Sequence, residues 1–398
     1  MKKGGYSIYD IFFCCILFMG PNVMCLFGMS ILSIYVIYLL IGFTLLLRPS
    51  SIARKNKIVM YIILFFLLVG SYKISTDKTE GAKSMSLIIM APTILFGSFP
   101  SLKEDLQWRR FFRLMIYFFL LETCLAIVER VMMYNLLPTE LESDIASSVD
   151  FETTTFRSTS LHKGPLENAL LVTILMSFIL VSTLNIKTKM LLWGLGFLSI
   201  LCFNGRSSIV GNLLLMGLYL TREIFFSHKL SYKLKRKLVK ITLLFVVVGT
   251  YLVFNFGLGG RLLGMGLVDD ISAQTRIDVW QIFENFDINY FMWGRNYDEI
   301  ETIFLYTGID RTENFWIEWI MRYGVIYVSL AVLLYYFLAR HLYKGYNLFD
   351  ALFTSAAFLL IASTNNSLSV SWMPLFLYLF CICLFNPKYS LMSEQKIL

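Results

Sequence analysis

Basic side chains cluster at the end of a polar stretch that precedes a long apolar run. Arg157, His162 and Lys163 lie shortly before Pro165, where the apolar run begins. Guanidinium groups contact phosphate oxygens in pairs, so these side chains could hold a phosphate or diphosphate at a membrane surface. The alternative is an ordinary solvated loop end, which spacing alone does not exclude.

A lone arginine stands in the short turn between two apolar runs, Asn204-Gly205-Arg206-Ser207-Ser208. An ionisable side chain at a membrane edge is a functional candidate, because placing it there is costly. The alternative is a guanidinium that reaches the polar headgroups on its apolar stem.

A second polar stretch, 259–313, mixes arginines, acids and aromatic rings. Its candidate binding residues are Arg276, Trp280, Arg295 and Arg311. Rings beside polar groups suit carbohydrate, because the CH-rich faces of sugars stack on rings while their hydroxyls find hydrogen-bond partners. The same rings could equally form the aromatic belt of a membrane protein.

A carboxyl group and an amide close this stretch. Glu313 could accept a proton as a general base, with Asn314 binding substrate beside it. Alternatively, both residues simply cap the helix that follows.

Two charged pairs lie inside apolar runs. Glu318 and Arg322 are four residues apart, so they share a helical face and can form an ion pair. Glu129 and Arg130 lie near the end of an earlier run. Such pairs usually stabilise the interior of a helix bundle, although they could also line a cavity.

Apolar runs of membrane-spanning length must position these side chains. The sequence is 57% hydrophobic and 16% charged, with a mean hydropathy of +0.66, which argues against a water-soluble fold. We predict an all-α polytopic membrane protein, a single transmembrane domain over 1–398 with about 12 transmembrane helices and two long outer loops, 134–165 and 259–313. The predicted spans are 10–30, 31–47, 58–74, 84–100, 111–133, 166–185, 188–204, 209–226, 239–258, 314–339, 348–364 and 368–386.

The basic residues predict the orientation. The segment 221–240 carries seven lysines and arginines against one acid, Glu223. The positive-inside rule places this segment in the cytoplasm, which puts both termini inside and both long loops outside. The net charge of +8 is therefore a topology signal and does not indicate nucleic-acid binding.

Several chemistries lack their sequence signals. There is no nucleotide-binding loop, dinucleotide fingerprint or HExxH motif, and the seven cysteines lie in apolar segments without zinc-like spacing. We therefore expect no metal and no cofactor. No internal repeat is evident, which argues against the inverted-repeat transporters.

Four segments together resemble the bacterial O-antigen polymerase and O-antigen ligase superfamily, which includes capsular and exopolysaccharide polymerases. The likeness covers roughly residues 155–330. In the ligase branch a histidine stands where this chain has Glu313, and this departure favours a polymerase. The segments are 157–168, 204–208, Arg276 with Trp280 and Gly294, and Glu313-Asn314 followed by Gly324-Val325-Ile326-Tyr327.

The resemblance implies metal-independent glycosyl transfer on the outer face of the bacterial cytoplasmic membrane, joining oligosaccharide repeat units carried on polyprenyl diphosphate. Arg157, Arg206 and Arg276 would hold the diphosphates, Glu313 would act as base and His162 as reserve base. Lys163, Arg295, Arg311, Asn314 and Trp280 would bind substrate.

The implied partners are the lipid bilayer, a flippase and chain-length regulator proteins, without nucleic acid. An O-antigen-type ligase, a lipid-linked oligosaccharide flippase or other transporter, and a sensory or structural membrane protein remain alternatives.

Overall fold

The described part of the chain is mostly helical. The computed structural model describes residues 6–48, 57–77, 79–99, 105–137, 156–226, 231–256, 258, 279–285, 287–307, 312 and 314–387. Of these residues 82% are helical, and none lies in a strand. The α-helices are α1 Ile8–Phe18, α2 Pro21–Cys25, α3 Ile31–Leu46, α4 Lys57–Thr76, α5 Glu80–Ser98, α6 Asp105–Met132, α7 Pro165–Val181, α8 Ile186–Phe203, α9 Arg206–Thr221, α10 Tyr232–Phe256, α11 Ile288–Trp293, α12 Tyr297–Thr307, α13 Phe315–Leu342, α14 Leu348–Ala362, α15 Ser367–Val370 and α16 Met373–Leu384.

Two other helical turns lie beside these helices. A π-helical turn, Arg222–Phe226, continues α9, and a 3₁₀ helix, Val279–Asn285, precedes α11. The polar stretch 259–313 thus contains short helices where the sequence predicted only a long loop.

The helices coincide with the apolar runs of the sequence, because each predicted run overlaps at least one helix. Within the described ranges, six helices have the length and composition of a membrane span: α4, α6, α8, α9 with its π turn, α10 and α13. The remaining apolar helical stretches, among them Ser86–Ser98 within α5, have 10–17 residues, at or below the shortest length that crosses a bilayer. The fold is that of an all-α membrane protein, and the larger number of spans stays a prediction.

The surface of α10 illustrates this class of fold. Its large apolar side chains Leu243, Leu244, Val247 and Phe254 are exposed. A contiguous apolar surface of this kind is unfavourable in water and suits contact with lipid.

The chain divides into two compact units. Unit 1 consists of Met1–Ile116, Leu267–Tyr346 and Ala362–Leu398, and unit 2 of Tyr117–Gly266 and Asn347–Ile361. In the described ranges the chain passes from one unit to the other within α6, between Tyr346 and Asn347, and at the end of α14.

Aromatic packing forms the core of unit 1. The rings of Phe13 and Phe380 stack with centroids 4.3 Å apart, and Phe99 meets Phe380 edge-on at 5.2 Å. Helices in a bilayer gain little from leaving lipid, so close van der Waals contact of this kind must hold them together.

The central helix of unit 2 is α7. All its residues from Glu167 to Leu180 are buried, which is expected for a helix that is apolar on every side. Gly196 of α8 permits a close approach, since a Cβ there would lie 2.7 Å from Met176 Sδ of α7. Small residues at such crossings let helix backbones approach.

Helix α13 is kinked at Gly324, whose φ of 78° and ψ of 159° are open essentially to glycine alone. The kink releases backbone groups from the helical ladder. Arg295 N–H donates to the Met321 carbonyl at 2.7 Å, so a loop bond replaces a helical bond.

Gly294 lies directly against this kink and has a similar backbone conformation, with φ 81° and ψ 168°. A Cβ at Gly294 would lie 2.5 Å from the Arg322 carbonyl oxygen, and one at Gly324 would overlap the Met292 carbonyl. We call this pair, Gly294 and Gly324, the glycine contact. It joins the end of α11 to the kink of α13.

Candidate functional site

Residues 156–164 are hydrogen-bonded along one face of α6, and we call them the anchored segment. The carboxyl oxygen Oε2 of Glu129 accepts the N–H groups of Thr159 at 2.9 Å and Ser160 at 3.0 Å. Its Oε1 accepts the N–H of Leu136 at 3.2 Å. Glu129 is fully buried, so its oxygens depend on such donors.

A second buried acid lies on the same face of α6, about two helical turns earlier. Glu122 is seven residues before Glu129, and its Oε2 accepts the N–H of Leu161 at 3.4 Å. The Ser160 hydroxyl donates to the Glu122 backbone carbonyl at 3.0 Å. Both acids of α6 therefore fix the backbone of the anchored segment.

The start of the anchored segment is held by two arginines. Arg157 Nε donates to the carbonyl of Phe203 at 3.1 Å, and Arg130 Nη1 donates to the carbonyl of Phe156 at 3.0 Å. Phe203 is the last residue of α8, where carbonyls carry the negative end of the helix dipole. A guanidinium is thus favoured at this position.

The end of the anchored segment is turned inward. The Asn168 side-chain amide donates to the carbonyl of His162 at 2.9 Å and also to that of Thr159. His162 is 1% exposed, and its ring meets Phe118 edge-on at 5.7 Å. Lys163 is half-buried. The structure therefore packs His162 into unit 2, which the sequence did not indicate.

The turn containing Arg206 joins α8 to α9. Asn204 ends α8 in the left-handed conformation, with φ 55°, which asparagine tolerates better than most residues. Arg206 is then the first residue of α9 and is half-buried. Arg157 is hydrogen-bonded to the carbonyl of Phe203, the last residue of α8. Both arginines therefore lie next to the C-terminal end of α8.

In unit 1, the start of α13 is tightly held. Asn314 Oδ1 accepts the N–H of Trp316 at 2.9 Å, which confirms the capping interpretation for Asn314. Phe315 N–H donates to the Asn365 carbonyl at 3.2 Å, and the Trp316 indole donates to Ser363 Oγ at 2.9 Å.

The predicted pair of Glu318 and Arg322 is confirmed, with Arg322 Nη2 3.2 Å from Glu318 Oε1. The other carboxyl oxygen accepts the hydroxyls of Thr312 at 2.9 Å and Ser369 at 3.0 Å. The Arg322 guanidinium also lies over the ring of Tyr297, 4.2 Å from its centroid. Burial raises the pKa of the Tyr297 phenol and so favours its neutral form. The face of the neutral ring attracts the Arg322 guanidinium.

Three of the predicted site residues, Glu313, Arg276 and Arg311, lie outside the described residues. Thr312 and Asn314, on either side of Glu313, are both hydrogen-bonded to α13. The side chains of Thr312 and Asn314 are thus both held to one helix.

The remaining predicted residues, Arg295 and Trp280, lie in the 259–313 stretch. The Arg295 guanidinium stacks over Tyr290, 3.9 Å from the ring centroid. Trp280 lies in the 3₁₀ helix and is 55% exposed, so its ring is open to a ligand. Arg157, His162, Lys163 and Arg206 belong to unit 2, whereas Arg295, Trp280 and Asn314 belong to unit 1.

Sequence reasoning missed the role of two acids. Glu122 was not singled out, and Glu129 was paired with Arg130, although adjacent helical residues point apart. The available signal was two carboxyl groups seven residues apart inside an apolar run, since that spacing returns to the same face.

In the described part of the chain, no three histidine, cysteine or acidic side chains are grouped so as to hold a metal ion. The sequence matches no protein-family model, and no curated protein matches it significantly.

Proposed function

We propose that this chain is a polysaccharide polymerase that joins polyprenyl-diphosphate-linked oligosaccharide repeat units by metal-independent glycosyl transfer. The anchored segment is the observation that carries the proposal. Two fully buried acids fix its backbone, and it brings Arg157 to the end of α8 and Lys163 to the start of α7. Burying two acids to hold a loop in place is costly, so a functional role explains this loop better than a mere connection between helices does.

In this proposal the cations bind the leaving group. A lipid diphosphate accumulates negative charge as the anomeric bond breaks, and fixed guanidinium groups stabilise that charge. We assign this role to Arg157, Arg206 and Arg276, with Lys163 as an additional phosphate contact. Glu313 accepts the proton of the attacking sugar hydroxyl, an assignment that rests on its position in the sequence beside Asn314, the N-cap of α13.

The proposed setting is the bacterial cytoplasmic membrane. Twelve apolar runs crossing it, with both termini in the cytoplasm, place the two polar stretches on the outer face, where the lipid-linked units are polymerised. The basic residues near 221–240 support this orientation. The outer leaflet would then supply both the donor and the acceptor.

Deletion of the gene in its host tests the proposal. We expect single lipid-linked repeat units to accumulate at the outer face and long chains to disappear, as measured by gel and mass spectrometry. Long lipid-linked chains that never reach their acceptor would instead identify a ligase. Repeat units trapped at the inner face would identify a flippase, and an unchanged saccharide profile would remove the polysaccharide function.

Complementing the deletion strain with Arg206→Lys tests the role of the guanidinium. Lysine keeps the charge but loses the paired contact with phosphate, so we expect polymer to fall by about 10²-fold at equal protein abundance. Arg236→Lys is the matched control, because Arg236 is exposed in the basic cytoplasmic segment. Wild-type polymer length in the Arg206 variant would contradict the assignment.

A further inference from the structure

A narrow apolar groove runs along α13 in unit 1, with walls from α4 and α5. The space between its walls is about 380 Å³, part of which is open to the surroundings, and its lining includes Phe66, Met90, Tyr327 and Val328. The groove extends along α13 from Trp319 to Ala331. At a helical rise of about 1.5 Å per residue, this is about 18 Å. An elongated apolar groove fits a hydrocarbon chain better than a compact ligand.

A buried lysine lies beside the groove. Lys73 is 8% exposed, and its ammonium is 5.9 Å from the ring of Tyr323, which lines the groove. Gly70, another lining residue, is one turn earlier on the same face of α4. Lys73 therefore points towards the part of the groove nearest the kink of α13.

The Lys73 ammonium forms no ion pair and no hydrogen bond with any residue in the described ranges. The acids around it are Asp77 and Glu299. Asp77 accepts the N–H of Tyr297 at 2.6 Å and the hydroxyl of Thr79 at 2.8 Å, and both acids favour the charged ammonium without forming an ion pair with it. A buried cation without a direct partner is unfavourable, and an anion supplied from outside would compensate it.

We propose that this groove binds one acyl chain of an anionic phospholipid, whose phosphate pairs with the Lys73 ammonium. A phosphodiester carries a single negative charge, which one lysine matches. A lipid diphosphate carries more charge, and Arg322, which adjoins Tyr323 of the groove, is already paired with Glu318. The inference is independent of the proposed polymerase activity, because the bilayer itself supplies the lipid.

Native mass spectrometry of the full-length protein in detergent tests the site, with phosphatidylglycerol and phosphatidylcholine of identical acyl chains as probes. We expect wild type to retain phosphatidylglycerol in preference, by about fivefold or more, from one buried cation. Lys73→Met keeps the side-chain volume and removes the charge, so the preference should vanish. Lys73→Gln gives the same test if the methionine variant is not monodisperse.

Two further variants complete the design. Ala331→Phe fills the groove and should reduce retention of both lipids, whereas Lys187→Met removes an exposed lysine of unit 2 and should change nothing. Equal binding of the two lipids to wild type, or an unchanged preference in Lys73→Met, would overturn the phosphate contact. If the Ala331→Phe variant retained both lipids fully, the placement of the acyl chain in the groove would be overturned. If the protein bound a polyprenyl diphosphate but not phosphatidylglycerol, the choice of lipid would be overturned.

Discussion

Gly324→Ala is expected to lower the free energy of unfolding by about 2–6 kcal/mol. About 1–3 kcal/mol comes from forcing alanine into a backbone conformation that only glycine adopts readily, and about 1–3 kcal/mol comes from overpacking. The added methyl group would overlap the Met292 carbonyl, and backbone cannot move aside as a flexible side chain can. The kink of α13 would shift together with the loop at Gly294. Thermal unfolding of the purified protein in detergent measures the change.

Matched glycines provide the control. Nothing lies within 4 Å of a Cβ at Gly217 or Gly249, both inside helices, so alanine there should be neutral or stabilise by up to about 1 kcal/mol. Gly294→Ala should resemble Gly324→Ala, and the double variant should lose less than the sum, because both changes disrupt the same glycine contact. An additive double variant, or an unaffected Gly324→Ala, would show that the contact does not constrain the kink.

Glu129→Gln should release the anchored segment and abolish the proposed polymerase activity. The Glu129 carboxyl accepts three backbone N–H groups, those of Leu136, Thr159 and Ser160. A glutamine offers one oxygen and one NH₂ group, so at least one buried donor would face another donor. Bonds to a charged group contribute about 1.5–3 kcal/mol each, which makes the loss large.

Hydrogen exchange of peptides covering 156–164 reports this release directly, with the amides of Thr159 and Ser160 exchanging faster than in wild type. Glu223→Gln is the control, because Glu223 is half-buried in the π turn and should leave these peptides unchanged. If the variant keeps wild-type protection in the anchored segment, the Glu129 bonds are not what holds it.

Hydropathy alone located the helices of the apolar runs, because each run is long enough to favour a helix whose backbone bonds are satisfied internally. It did not locate the short helices of 259–313, which are not long apolar runs. The pairing of Glu318 with Arg322 was equally predictable, since a spacing of four residues fixes which side chains share a face. The capping role of Asn314 followed from its residue type at the start of a span.

The anchored segment was not predictable in this way. Its shape depends on contacts between residues some thirty positions apart, such as Glu129 with Thr159, and no local pattern encodes a backbone N–H that meets a distant carboxyl. The burial of His162 has the same origin, because it depends on packing against Phe118 of α6. The glycine contact likewise joins positions thirty residues apart, although the sequence marked both glycines.

The kink of α13 also has a consequence for the depth at which charges lie in the bilayer. Residues 325–342, beyond the kink, extend about 27 Å, close to the hydrocarbon thickness of about 30 Å. With Arg340 at the inner end as an interfacial anchor, Gly324 falls near the outer boundary of the hydrocarbon layer in the proposed orientation. Glu318 and Arg322 then lie among hydrated headgroups, so a thicker membrane would draw this ion pair into lipid and strain the kink by hydrophobic mismatch.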